Sequence, residues 1–383
     1  MTSTTRIFTG LATVCGVCLL GSVLTAGQAA PQEPPRMAEQ VFKNVQVLKG
    51  LPVDEFLDTM GMFAAATGLN CTDCHVDESG GSWERYADDN QLKRTTRAMV
   101  GIMGAINKQY FGGRQVVTCY SCHNGNRRPK AVPSLALQYA VNPVLDDPYE
   151  ILQPGFDAPS IDAVFDNYIA AVGGAQRLKG LTSFIAEGIY TGYDDFDEFP
   201  VQVFSKAPNQ RTIVLHSQYG DVTTAFDGRA GWQASPTETK PIPVIPLTGG
   251  NLEGAAVEAE LAFPGQIKQV LTNWIVGNLT VIGDRQVRIV QGKKASGTPI
   301  KLYFDEESGL LVRLVRYSSG SPVGRVPTQV DFEDYRDVSG IKFPFKWTST
   351  WTDGRMLFQL KNIQVNPTIP EARFGRPAPP TGR

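Results

Sequence analysis

The sequence predicts an α+β protein: a small α-helical domain followed by an antiparallel β half-barrel domain. Three observations predict it. Apolar residues recur at helical spacing up to about residue 110, and the pattern changes to period two after Leu181. Two cysteine pairs, each followed by a histidine, punctuate only the helical part. The chain has 383 residues, 42% apolar and 19% charged, enough for two or three domains with sizeable cores. Its formal net charge of −2 gives no basis for a nucleic-acid partner.

In chain order, residues 1–30 read as a secretory signal. Arg6 is the basic residue, Ile7 to Leu24 is apolar, and Ala26 to Ala30 offers small residues for cleavage. An uncleaved anchor is the alternative, because the apolar run is near spanning length. Residues 31–36 are a Pro-rich linker. Pro52, the acidic residues after it and Gly68 mark a helix over Val53 to Ala66. Asp88-Asp89-Asn90 offers caps for a second helix, Gln91 to Tyr110, broken by Phe111-Gly112-Gly113. Each helix leads into one cysteine motif, so the helical domain, residues 36–135, repeats one plan twice. Residues 136–158 read as a Pro-rich connector.

A β domain is expected over 159–370, opened by a helix from Ser160 to Val172 that Gly173-Gly174 ends. Its strands include Val201 to Ser205, Arg211 to Leu215 and Val287 to Val290, and its clearest hairpin joins Lys301–Asp305 to Leu311–Tyr317 through Glu307-Ser308-Gly309. Short helices are expected near Glu253 to Ala262 and Gly265 to Val276, too few for a parallel sheet. Residues 371–383 read as a flexible tail.

The chemistry concentrates in Cys71-Thr72-Asp73-Cys74-His75 and Cys119-Tyr120-Ser121-Cys122-His123. C-x-x-C-H is the attachment signature of c-type haem: two thiols at that spacing reach the two vinyl groups, and the adjacent imidazole meets the iron. A zinc ribbon places its cysteine pairs about 15–20 residues apart, whereas 44 residues separate Cys74 from Cys119. Paired disulfides leave the histidines unexplained, and a thioredoxin-like motif needs a βαβ context. Cys15 and Cys18 fall inside the signal, leaving the four motif cysteines in the mature chain. Two covalently attached haem c groups are the expected cofactors, and the periplasm is the expected compartment.

A six-coordinate iron needs a distal ligand. His216 is the one remaining histidine and sits in the β part, so methionine is favoured, and a thioether ligand raises the reduction potential. Met60 or Met62 precedes the first motif, and Met99 or Met103 precedes the second.

Several stretches carry a family resemblance: Leu57 to Met60, Asn70 to His75, Lys93 to Met99, Ala105-Ile106-Asn107, and Val117 to Gly125. Together, about residues 40–135 resemble the cytochrome c subunit of photosynthetic reaction centres. The resemblance implies a helix, a turn and C-x-x-C-H for each haem, with Met60 and Met99 as the distal ligands. That family carries the pattern twice over, with four haems, while this chain has one pair and lacks the histidine for a bis-His haem.

Residues from about 160 to 370 resemble lipoprotein-carrier half-barrels of the LolA/LolB kind, on Tyr168 to Gly174, Val203 to Asn209, Ala225 to Trp232 and the Leu302 to Val312 hairpin. This implies a concave sheet that holds an acyl chain or docks a partner, with a lipid or quinone as candidate ligand.

Other residues have plainer readings. His216 lacks a nucleophile elbow, Asp194 to Glu198 lacks EF-hand spacing, and Arg97, Arg114, Arg127 and Arg128 either pair with propionates or solvate the surface. Trp83, Tyr86 and Tyr120 are candidates for lining the haem edges. The expected function is electron transfer to a redox protein or a membrane electron-transfer complex. The rivals are a haem enzyme with one open iron and a lipid or quinone binder with the haems as auxiliary relay.

Overall fold

A computed structural model describes residues 34–75, 85–132, 152–192, 197–236, 242–318 and 321–380. The signal-like segment, Trp83, Asp194, Asp195 and the expected connector up to residue 151 lie outside the described residues.

Helix α1 (Ala38–Val41) leads into α2 (Val53–Thr67), α3 (Cys71–Cys74), α4 (Gln91–Phe111) and α5 (Cys119–His123). Helix α2 starts after Pro52, carries Asp54 and Glu55 in its first turn, and ends where Gly68 turns left-handed at φ 68°. Helix α4 is capped by Asn90, whose side chain accepts from the Lys93 N–H, and ends on Gly112 at φ 62°. Helices α6 (Ile161–Ala171) and α7 (Ala175–Lys179) precede the sheet.

The sheet runs β1 (Ser183–Thr191), β2 (Glu198–Lys206), β3 (Gln210–Ser217), β4 (Gly220–Phe226), β5 (Gly231–Ala234) and β6 (Val244–Pro246), then helices α8 (Gly249–Leu261) and α9 (Ile267–Val270). It continues with β7 (Thr272–Ile282), β8 (Arg285–Lys293), β9 (Pro299–Asp305), β10 (Leu311–Ser318), β11 (Val326–Val338), β12 (Ile341–Trp351) and β13 (Gly354–Val365). These strands form one open antiparallel sheet in the order β6-β5-β4-β3-β2-β1-β13-β12-β11-β10-β9-β8-β7. Strand β1 pairs with both β2 and β13, so the two ends of the β region meet in mid-sheet.

Helix α8 touches β3 and β4 on one side and β10 on the other, although five strands lie between β3 and β10. The sheet therefore curls around α8. Glu258 of α8 binds Arg316 of β10 at 3.1 Å, and a side chain at Gly254 would collide with that guanidinium. The main core fills the inner face with Phe165 and Tyr168 of α6, Val257 of α8, and Leu302, Leu314, Trp347 and Phe358 of the sheet.

Two expectations need correction. The helix expected over Gly265 to Val276 stops at Val270, and residues from Thr272 form β7. Trp274, Ile275 and Val276 are bulky and β-branched residues that pair better in a ladder than in a helix. The tail expected to be flexible from residue 371 is docked further on: Glu371–Arg373 form a 3₁₀ turn, and Phe374 is fully buried with Phe204, Val214 and Ile369.

The helical region packs directly on the sheet. Met62 and Met103 form one buried cluster with Val323 and Val326, and the Thr59 Oγ1 donates to Ser321 Oγ at 3.1 Å. Asp54 accepts from Thr248 N at 2.6 Å and from Thr248 Oγ1 at 2.7 Å, which satisfies donors at the start of α8. Asn251 donates to Asp58 at 2.7 Å, and Gly61 lies so close to Thr352 and Asp353 that a Cβ would collide with them.

Candidate functional site

Each C-x-x-C-H motif occupies a short helix whose start is built from neighbouring side chains. Asn70 Oδ1 accepts from Asp73 N at 2.9 Å, and Asp73 Oδ2 accepts from Asn70 N at 2.9 Å. Thr118 and Ser121 repeat the reciprocal cap on α5, at 3.2 and 3.1 Å. One helical turn then sets the two thiols of each pair on the same face. All four are free thiols. Burial pushes the Cys74 and Cys119 thiols up.

Both histidines are held in the same manner. His75 Nδ1 lies 3.0 Å from the Tyr86 carbonyl, and His123 Nδ1 lies 3.0 Å from the Asn126 carbonyl. A carbonyl only accepts, so Nδ1 carries the proton and Nε2 keeps its lone pair, as a metal-binding imidazole requires. Burial and the Lys93 charge push His75 down, which favours its neutral form, and the Tyr86 ring packs against it with centroids 4.8 Å apart. Two thiols on one turn beside an oriented imidazole fit a covalently held haem at both motifs.

The four methionines divide into two classes. Met62 and Met103 are 6% and 7% exposed and fill the contact with Val323 and Val326. Met60 is half-buried, and Met99 is 42% exposed beside Ile102 on an outward stripe of α4. Packing engages one methionine per helix and leaves the other.

The remaining candidates are less engaged with the motifs. Arg97 pairs with Asp89 at 2.7 Å, Tyr120 is exposed, and His216 Nδ1 lies 2.9 Å from Asp221 within the β3–β4 hairpin. Arg114, Arg127 and Arg128 are exposed. No group of His, Cys, Asp and Glu among the described residues forms a separate metal cluster.

Asn107 went unnoticed as a positioning residue in the reading of the sequence. Its Nδ2 donates to Val117 O at 2.7 Å, and its Oδ1 accepts from Val117 N at 2.9 Å and Val116 N at 3.1 Å. It thereby fixes the segment that delivers Cys119. The signals that were legible are the Asn70-x-x-Asp73 and Thr118-x-x-Ser121 spacings of reciprocal caps.

Residues 20–142 match the family model described as the photosynthetic reaction centre cytochrome C subunit. The photosynthetic reaction center cytochrome c subunit of Thermochromatium tepidum is 39% identical over 108 residues, 27% of this chain and 25% of that protein. The corresponding subunit of Rubrivivax gelatinosus is 35% identical over 112 residues, 28% of each chain. The chain thus spans about a quarter of the length of these curated relatives. Among solved structures, a LolA superfamily protein from Nitrosomonas europaea aligns over 57% of this chain and 98% of its own, with 13% identity and a TM-score of 0.38. A DUF1329 family protein from Desulfovibrio piger aligns over 56% and 97%, with 10% identity and a TM-score of 0.39. The resemblance of the helical region read from the sequence is found again in these comparisons.

Proposed function

We propose that the chain is an exported, periplasmic c-type cytochrome that carries electrons through two haem c groups to a redox protein or a membrane electron-transfer complex. Cys71 and Cys74 would hold the first haem, with His75 as its proximal ligand. Cys119, Cys122 and His123 would do the same for the second. When bound, the haems supply one-electron exchange at an iron whose potential depends on its axial ligands and its burial.

The observation that carries the reading is the matching treatment of the two histidines. Each presents Nε2 because a backbone carbonyl holds Nδ1 at 3.0 Å. The identity to reaction-centre cytochrome subunits over the same region supports it. Met60 and Met99 are the distal ligands in this reading, since Met62 and Met103 are engaged in packing. Among the described residues no helix is long and apolar enough to cross a membrane.

The test is an optical spectrum of protein matured in a host that attaches haem c, taken oxidised, reduced, and reduced with carbon monoxide. The reading expects two haems per chain, a sulfur-to-iron charge-transfer band and no carbon monoxide shift. A shift on one haem would transfer the reading to a haem enzyme with an open iron. No covalent haem would end both.

A further inference from the structure

Helix α4 leads into the second motif, yet its first turn is tied to the first. Asn90, its cap, donates from Nδ2 to the Cys74 carbonyl at 2.7 Å. Lys93, whose N–H closes the cap, turns its side chain back to the segment that holds His75. Its Nζ donates to the Tyr86 carbonyl at 2.6 Å and to the Asp88 carbonyl at 2.7 Å. The Tyr86 carbonyl is the same oxygen that holds His75 Nδ1 at 3.0 Å. One acceptor therefore serves an imidazole and an ammonium.

The charge of that ammonium is not neutralised at close range. Among the described residues Lys93 pairs with no carboxylate: Asp88 lies 3.7 Å from Arg85, and Asp89 lies 2.7 Å from Arg97. Lys93 is half-buried, so water and salt screen it less than they would at the open surface. Burial first, and then the Lys93 charge, push His75 down. The second motif has no counterpart. The Asn126 carbonyl holds His123 Nδ1 at 3.0 Å, and among the described residues no cation donates to it.

A carbonyl on Nδ1 makes a metal-bound imidazole more basic, which favours the oxidised metal. A cation on that carbonyl competes for its lone pairs and weakens the Nδ1–H bond. Its field also opposes the extra positive charge of oxidised iron. Both effects have the same sign.

We propose that Lys93 is a positioning residue for the first haem, sharing the Tyr86 carbonyl with His75 and so raising the potential of that haem above what its axial ligands alone would give. This rests on the electron-carrier reading, in which Cys71, Cys74 and His75 hold that group.

The test is a spectroelectrochemical titration of the full haem-loaded protein, native and with Lys93→Met, Lys93→Gln or Lys93→Arg. Lys93→Met removes the charge and both bonds. Lys93→Gln keeps an N–H donor without the charge, and Lys93→Arg keeps both. In the two neutral variants one potential should fall, lowering the ratio of reduced to oxidised haem about tenfold, or about 59 mV for a one-electron couple. The other potential should move by less than about a third of that, because screening weakens the field with distance. Lys93→Arg should stay within about twofold of the native ratio. The reduced spectrum should show both irons fully ligated in every variant, which separates a shifted potential from a lost ligand. Lys93→Gln carries the test where Lys93→Met fails to load haem. With two haems attached, the proposal is overturned by unmoved potentials in the neutral variants or by an equal fall of both. It is overturned as well by a fall in Lys93→Arg as large as in Lys93→Met. A native chain without covalent haem would instead end the electron-carrier reading and this proposal with it.

Discussion

The two C-x-x-C-H units follow one plan and are tethered in opposite ways. In the first unit the helix is anchored and the attachment turn is exposed. Helix α2 buries Asp54, Glu55, Thr59 and Met62 against α8 and the sheet, whereas Cys71, Thr72 and Asp73 face solvent. In the second unit the helix is exposed and the attachment turn is anchored. Helix α4 buries only Met103 and Asn107, while α5 packs on α2 and Cys119 N donates to Val323 O. Even the histidine supports differ in reach: His123 is held by a carbonyl three residues on, and His75 by one eleven residues on. The imidazole of the first motif thus depends on the fold around Tyr86, and that of the second is held from within its own turn.

Substitution of the methionines gives the sharpest break of this comparison. Met62→Ala and Met103→Ala remove buried side chains from the contact with Val323, and each should cost about 2–5 kcal/mol, read by denaturant unfolding. The visible spectrum should stay as it was. Met60→Ala and Met99→Ala should do the reverse, leaving stability within about 1 kcal/mol at a half-buried and an exposed position while opening one iron and lowering its potential. A spectral change in Met62→Ala or Met103→Ala, with none in the other pair, would exchange the two assignments.

The next effect falls on Asn107, for which no equivalent was found in the first unit among the described residues. Asn107→Ala removes the partner of the Val117 amide and carbonyl and one of the two acceptors of the Val116 amide, which keeps the Arg114 carbonyl. Stability should drop by about 1–3 kcal/mol, and haem incorporation at the second motif should fall before that at the first. Equal loss at both sites would mean that Asn107 supports the whole lobe rather than the second turn.

Much of this was legible in the sequence because short-range chemistry fixes it. The two motifs, the helices closed by Gly68 and Gly112, and the hairpin of β9 and β10 all depend on residues within one or two turns of each other. What was not legible depends on distant partners. Met60 and Met62 are indistinguishable by type and differ only because Val323, some 260 residues away, covers one of them. The length of the sheet and the docking of Phe374 likewise follow from pairings that local pattern does not encode. Residues 272–276 misled for the same reason, since their apolar content suits either period until β8 pairs with that strand.

The smallest effect concerns how the first helix is anchored. Helix α4 starts without an acidic residue, whereas α2 starts with Asp54 and Glu55 buried against α8. Asp54 is well matched to Thr248, but among the described residues the Glu55 carboxylate has only the Thr248 hydroxyl, at 3.4 Å. Burial, then the charge of Asp54, pushes the Glu55 carboxyl above its ordinary value of 4.5. The folded chain therefore takes up this proton at a higher pH than the unfolded chain does. As pH falls from neutral through the raised value, Glu55 contributes increasing stability, and the gain levels off below 4.5. Raising the pH reverses it, because the ionised carboxylate is held where water is excluded. Glu55→Gln keeps the shape and removes the charge. It should raise the thermal midpoint at pH 7 by a degree or so and flatten the pH dependence above about 4.5, leaving the acid limb intact. A lower midpoint for Glu55→Gln at pH 7 would mean that the ionised carboxylate itself clamps α2 to α8, a charged anchor that the start of α4, without an acidic residue, does not have.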